Sequence, residues 1–358
     1  MIIIQLIAGL VLLIAGAEVL VKGASRIASA MGITPLVIGL TVVAFGTSSP
    51  ELAVSVMSSL NGKADIALGN VVGSNIFNVL FILGLSSIIV PLVVAQQLIR
   101  IDVPIMIGAS LLTLLFCWDG TIQKWEGLLL LAAGIAYTVF IIRLSKKEKS
   151  KEVLEEYRQA YEEKKPTAKN QTLISIGLII GGLVLLVLGS RWLVNSAVAI
   201  AQQLGVSDLV IGLTIIAAGT SLPEVATSVI ASMRGERDIA VGNVVGSNIF
   251  NIVYILSVAT LVSADGIKVA ESALHFDLPV MVAVAVACLP IFFTGRRLDR
   301  WEGFLFLGYY VAYTVYIILA NQQNASLEAF SNTMTWFVIP LTIITLGVVT
   351  MREIKLKR

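Results

Sequence analysis

Apolar runs of about 17 to 25 residues, each long enough to cross a bilayer as a helix, recur along this chain. They fall near residues 2–30, 34–60, 65–90, 102–118 and 123–143, then near 172–203, 207–233, 238–263, 275–294 and 301–320, with a last run at 334–351. The pattern predicts an all-α, polytopic membrane protein. Five helices occupy residues 1–144, a charged linker SKKEKSKEVLEEYRQAYEEKKPTAKNQ fills 145–171, and five more helices occupy 172–320. Residues 321–358 hold a loop, an eleventh helix without a counterpart in the first half, and a basic tail.

The two sets of five carry the same text. GLTVVAFGTSSPELAVSVMSS and ADIALGNVVGSNIFNVLFILGL in the first half return as GLTIIAAGTSLPEVATSVIAS and RDIAVGNVVGSNIFNIVYILSV in the second. From Asp65 to Asn78 against Asp238 to Asn251, thirteen of fourteen positions are identical at an offset of 173. An odd number of spans per repeat makes the second copy enter the membrane upside down. Inverted-topology repeats are a hallmark of secondary transporters, with the substrate site at the midplane between them.

Composition agrees with the membrane assignment: 57% of residues are hydrophobic, 13% are charged, and the mean hydropathy is +0.92. The opening MIIIQLIAGLVLLIAGAEVLV has no Lys or Arg before Lys22 and no small-residue cleavage pattern. It reads as a retained first helix and not a signal peptide. Cys117 and Cys288 lie in apolar runs without a CxxC or nearby His, which argues for neither a disulfide nor a metal site. Charge sets the expected orientation. With the N-terminus outside, 20 of 25 Lys and Arg fall in cytoplasmic segments, including the linker and the tail REIKLKR, against Lys63, Lys124 and Lys268 outside. The eleventh span is needed for this count.

Each repeat places one acid, Glu51 or Glu224, inside an apolar run, where a bare carboxylate costs roughly 2.5 kcal/mol or more. Gly46 and Gly219 interrupt the helices just before them, and each is followed by a hydroxyl pair and then Pro50 or Pro223. That is a helix start with an expected hydroxyl cap and proline in the first turn. The carbonyls around Ala44 and Ala217 are expected to lose their helical partners there. Thr47, Ser48 and Glu51 share a helical face by spacing, as do Thr220, Ser221 and Glu224. On the following helices Asn70, Ser74 and Asn78, and likewise Asn243, Ser247 and Asn251, draw polar stripes. Gly69, Gly73, Gly242 and Gly246 should let those stripes approach a neighbour closely. Hydroxyls, free carbonyls and carboxylates are the ligands a hard cation such as Ca²⁺ or Na⁺ requires.

Packing alone accounts equally well for Asn70, Asn75, Asn243 and Asn248 taken singly. Glu18 and Arg191, again 173 apart, read first as members of a fixed ion pair or lipid-interface anchors, with gating as the other reading. The linker charges are a solvated face, and KEVLEEYRQAYEEKK has helix-supporting Glu/Lys spacing.

The paired GTSSPE/GTSLPE and GNVVGSNIFN motifs resemble the α-repeats of the cation/calcium antiporter superfamily, most closely the prokaryotic sodium/calcium exchangers. The resemblance covers the first ten helices. It implies a diamond of four cation sites walled by helices 2, 3, 7 and 8. Its ligands are the Ala44 carbonyl, Thr47, Ser48, Glu51, Ser74 and Asn78, with the Ala217 carbonyl, Thr220, Ser221, Glu224, Ser247 and Asn251. It also implies that helices 1 and 6 slide as a pair over the core. Some relatives carry Asp where this chain has Asn78 or Asn251, so two formal negative charges are expected here. The proton/calcium branch adds an acid on the third helix in GNAVE-type text. Val71, Val72 and Gly73 occupy that region in this chain, which favours Na⁺ over H⁺ as the coupling ion.

The expected activity is electrogenic exchange of Na⁺ for Ca²⁺, without a cofactor, by a multi-pass cell-membrane protein. A proton- or potassium-linked Ca²⁺ exchanger is the alternative, and a passive cation channel is a third reading. An enzyme is not expected, because the single His275 leaves nothing from which to build a zinc or Ser-His centre. Ca²⁺ and Na⁺ are the expected substrates and the bilayer the expected surroundings, with no nucleic acid and no obligate protein partner inferred.

Overall fold

Leu-, Ile- and Val-rich runs satisfy every backbone group within the segment only as helices, the structure that a spanning segment in hydrocarbon must take here. The computed structural model bears this out. It describes residues 2–31, 33–147, 169–204 and 217–356. Among these, nine helices are long and apolar enough to cross a membrane, and one bent pair joins them. They are α1 (Ile2–Ala30), the bent α2 (Pro35–Thr47 and Ser49–Leu60), α3 (Ala64–Ile89), α4 (Leu98–Phe116) and α5 (Lys124–Ser145). The second half holds α6 (Thr172–Gln203), the shorter α7 (Leu222–Met233), α8 (Arg237–Val262), α9 (Ala273–Phe293) and α10 (Arg300–Asn321), followed by α11 (Ser326–Met351).

Boundaries shift modestly from the hydropathy runs. The eleventh helix begins at Ser326 rather than 334, because the polar turn SLEAFSNT continues straight into it. The expected linker helix over KEVLEEYRQAYEEKK and the first part of the seventh run, 207–216, lie outside the described residues.

Four two-residue strands, which hydropathy did not predict, tie the repeats together at their rims. β1 (Leu92–Val93) pairs antiparallel with β4 (Arg297–Leu298), and β2 (Thr121–Ile122) with β3 (Ile267–Lys268). Each ribbon takes one strand from each repeat. α4 runs from the β1–β4 ribbon to the β2–β3 ribbon, whereas α9 runs from β3 back to β4. The equivalent helices of the two repeats therefore cross the same thickness in opposite senses, which is the inversion that the odd span count requires.

The most buried helices are α3 and α8, which hold Val71, Val72, Ile76, Val244, Val245 and Ile249 in the core. α1 and α6 pack on each other antiparallel through glycines spaced by seven. A Cβ added at Gly16 would lie 2.9 Å from the Gly182 carbonyl oxygen, and one at Gly182 would lie 2.8 Å from that of Gly16. Gly9 and Gly189 repeat the arrangement one heptad on. Only residues without a side chain let the two backbones come this near. α11 sits outside both repeats, held to α10 by the Tyr309 hydroxyl donating to Thr342 at 2.6 Å, with Trp336 79% exposed. Cys117 and Cys288 are free and buried.

Candidate cation site at the crossing of the repeats

α2 bends by 47° at its break. Pro50 occupies the first turn of the second half, where its missing N–H costs nothing. Ser48 stands at the N-cap with φ −80° and ψ 9°, and Ser221 holds the same place before α7 with φ −88° and ψ 8°. The break was legible, but its hydroxyl chemistry was not. Neither serine caps its own helix.

Instead each crosses to the other repeat. Ser48 Oγ donates to Glu224 Oε1 at 2.8 Å, and Ser221 Oγ donates to Glu51 Oε1 at 2.8 Å. Ser221 Oγ also lies 3.3 Å from Ser74 Oγ, which brings α3 into the same cluster. Thr47 Oγ1 donates to Asn243 Oδ1 at 3.1 Å. The convergence expected within one helical face is thus a convergence between repeats, because the bend at Ser48 turns the hydroxyls away from the axis that carries Glu51.

Both acids are 1% exposed. Glu51 Oε2, Glu224 Oε2, Asn78 Oδ1 and Asn251 Oδ1 are buried without a protein donor, as are the hydroxyls of Thr220 and Ser247. Four of these six are acceptors only. A buried acceptor without a donor costs about 1–3 kcal/mol, and more when charged. A cation supplies what such oxygens lack, and neutral and anionic oxygens in this mixture suit Na⁺ and Ca²⁺. Among the described residues no three His, Cys, Asp or Glu gather as a metal site, so the charge rests on the two glutamates.

One expectation is corrected. The Ala44 carbonyl keeps its helical partner, accepting from the Ser48 N–H at 3.0 Å, because the first half of the helix runs on past Gly46 through Thr47. Glu18 does join an ion pair, with Arg234, and both side chains lie on the surface of the fold. Ala217 opens the described turn Ala217–Gly219 ahead of Ser221.

The asparagines divide by role. Asn70 Nδ2 donates to the Glu51 carbonyl at 3.2 Å and to Ser55 Oγ at 3.0 Å, and Asn243 Nδ2 donates to Ser228 Oγ at 3.0 Å. These two pin the glutamate-bearing helices to α3 and α8. Close approach at glycine holds on α8, where a Cβ at Gly242 would lie 2.8 Å from the Leu36 carbonyl oxygen and one at Gly246 2.6 Å from Leu40 Cα. No described atom lies within 4 Å of the same position at Gly69 or Gly73. Asn75 and Asn248, which pattern alone left as packing residues, meet at the centre. Their identity in both copies of GSNIFN was the one available signal.

Paired, oppositely inserted repeats that carry a buried two-carboxylate cluster at their crossing define a membrane transporter of cations. The chain belongs to the sodium/calcium exchanger protein family, whose pattern matches residues 1–143 and 174–319. It is 40% identical over 313 residues to CaxA of Alkalimonas amylolytica, whose name proposes antiport, covering 87% of this chain and 96% of that one. It is 34% identical over 339 residues to the sodium/calcium exchanger MaX1 of Methanosarcina acetivorans, covering 87% and 96% of the two chains. A solved structure of the sodium-calcium exchanger NCX_Mj superposes with a TM-score of 0.73 at 30% identity, covering 87% of this chain and 96% of that one. The protein is a multi-pass membrane exchanger that transports cations including Ca²⁺. α11 lies beyond the matched residues.

Proposed function

We propose that this protein exchanges Na⁺ for Ca²⁺ electrogenically through one midplane site built on Glu51 and Glu224. The observation that carries the reading is the reciprocal pair of bonds from Ser48 to Glu224 and from Ser221 to Glu51, each leaving one carboxylate oxygen without a protein partner. The ligand set is the carbonyls of Ala44 and Ala217 with Thr47, Ser48, Glu51, Ser74, Asn78, Thr220, Ser221, Glu224, Ser247 and Asn251. Two carboxylates balance one Ca²⁺, and three Na⁺ leave one positive charge for hydroxyls and carbonyls to absorb. Either load neutralises the acids enough for an occluded site to cross, whereas the empty site holds two buried charges and does not. Competition for the same oxygens is then what couples the two ions.

Residues 1–144 and 172–320 act as the two halves of the transport unit, joined by a cytoplasmic linker at 145–171. The distribution of Lys and Arg supports an external N-terminus and a cytoplasmic C-terminus. Proton or potassium coupling is the competing reading. Liposomes loaded with Ca²⁺ and supplied externally with Na⁺, K⁺ or H⁺ in turn decide the matter. Na⁺-driven, voltage-sensitive efflux is the expected result. Efflux driven equally by a pH gradient replaces Na⁺ with H⁺, and flux down the Ca²⁺ gradient with no counter-ion marks a channel.

A further inference from the structure

Asn75 and Asn248 supply none of the proposed ligands, yet they stand between them. Asn75 Nδ2 donates to the Asn248 backbone carbonyl at 3.2 Å, and Asn248 Nδ2 donates to that of Asn75 at 3.2 Å. The thioether sulfurs of Met281 and Met106 lie 3.7 and 3.6 Å from the same two nitrogens. A backbone carbonyl only accepts, and a thioether accepts weakly, so the amide end facing them has to be the NH₂. Each Oδ1 is thereby turned the other way. Asn251 Nδ2 meets Asn75 Oδ1 at 3.0 Å, and Asn78 Nδ2 meets Asn248 Oδ1 at 2.9 Å. An acceptor at that place demands a donor. Asn251 and Asn78 must therefore turn their NH₂ groups inward and their oxygens away, and those are two of the buried oxygens without a protein partner. Asn78 lies one helical turn beyond Ser74, on the face that reaches Ser221 and through it Glu51.

We propose that Asn75 and Asn248 are positioning residues that fix, across the repeat boundary, which end of Asn251 and of Asn78 faces the cations. The inference rests on the cation-exchange reading above. Each amide ligand is oriented by the other repeat: Asn75 on α3 sets Asn251 on α8, and Asn248 on α8 sets Asn78 on α3. Without the acceptor, a terminal amide has two broad orientations and presents NH₂ to a cation in one of them. The same acceptor discriminates against a carboxylate at 78 or 251, which has no hydrogen to offer it. The chain thereby specifies a neutral oxygen at both places.

Double-mutant cycles read through the apparent KM for Na⁺ in reconstituted liposomes test this. N75A is expected to raise that KM about two- to tenfold, the range for losing one neutral hydrogen bond. The key result is the pairing. Once Asn251 is Ala, removing Asn75 has no further effect on KM, whereas N75A and N78A multiply, although Asn78 is three residues away on the same helix. Multiplicative effects of N75A with N251A, or a loss of maximal rate with KM unchanged whatever stands at 251, would assign Asn75 to packing alone. Should N75A fail to insert, N248A with N78A supplies the equivalent cycle. A wild-type protein that moves Ca²⁺ without any response to Na⁺ overturns the exchange reading, and this inference with it. Intact wild-type exchange with additive cycles overturns the positioning role by itself.

Discussion

The hydroxyl of Ser48 reaches Glu224, 2.8 Å away and 176 residues along the chain, and not the acid three residues on in its own helix. Ser221 returns the arrangement to Glu51. Each repeat therefore holds the other's carboxylate, and the proposed ligand set is divided between the two.

The two acids are expected to be individually indispensable. Glu51→Gln and Glu224→Gln each remove one of only two charges and one ligand with no neutral substitute. Na⁺-dependent Ca²⁺ flux should vanish in both while expression and gel-filtration behaviour stay as in the wild type. Near-normal flux in either variant removes that acid from the mechanism.

Ser48→Ala and Ser221→Ala should be milder. Each leaves a carboxylate oxygen without its donor, at about 1–3 kcal/mol. A rise in the Ca²⁺ KM with exchange still measurable is the expected result in flux assays. Because the bonds are reciprocal, the two variants should resemble each other closely.

How much of this was visible in the sequence differs by scale. Helix number, inversion and the two acids followed from hydropathy and the 173-residue offset, since lipid leaves the backbone few choices and a buried carboxylate is conspicuous. The direction of the Ser48 hydroxyl did not follow. Spacing along α2 assigns it to the face of Glu51, and only the 47° bend sends it across to α7. The ribbons were likewise unreadable, since two residues such as Thr121 and Ile122 are too short a run for any periodicity. Glu18 had an obvious pseudo-equivalent in Arg191 but found Arg234 from a loop, a contact between elements that hydropathy does not relate.

Neutral ligands should matter less than charged ones. Asn251→Ala is expected to weaken exchange by less than Glu224→Gln, because a carboxylate binds more strongly than an amide oxygen. Asn251→Asp adds a titratable group, and exchange should become more sensitive to acid pH. An unchanged pH profile of flux would place residue 251 away from the ions.

The glycine seam between α1 and α6 has no room for a methyl group. Gly182→Val puts side-chain atoms against the Leu20 N–H, 2.7 Å from the Cβ position, and against the Gly16 carbonyl. Overpacking of this kind costs typically about 1–3 kcal/mol. A fall in thermal stability in detergent, larger than for Val at the open position of Gly177, is the expected measurement.

Topology is testable by chemistry. Cysteines introduced at 63 and 268, in a background lacking Cys117 and Cys288, should react with an impermeant thiol reagent on intact cells. Cysteines at 151 and 357 should not. Reaction at 357 alone would mean that α11 does not cross the membrane, and reaction at both 151 and 357 would reverse the orientation.

The two rim ribbons bear on how such a chain can have come about. Each repeat contributes one strand to either ribbon and owns neither, just as it contributes one glutamate and half of the hydroxyls. A chain half this length would show a bare strand at both rims and an acid with no neighbour to share its load. It would be whole only on meeting a twin inserted the other way up, so the fold has the form of two opposed twins written as one chain.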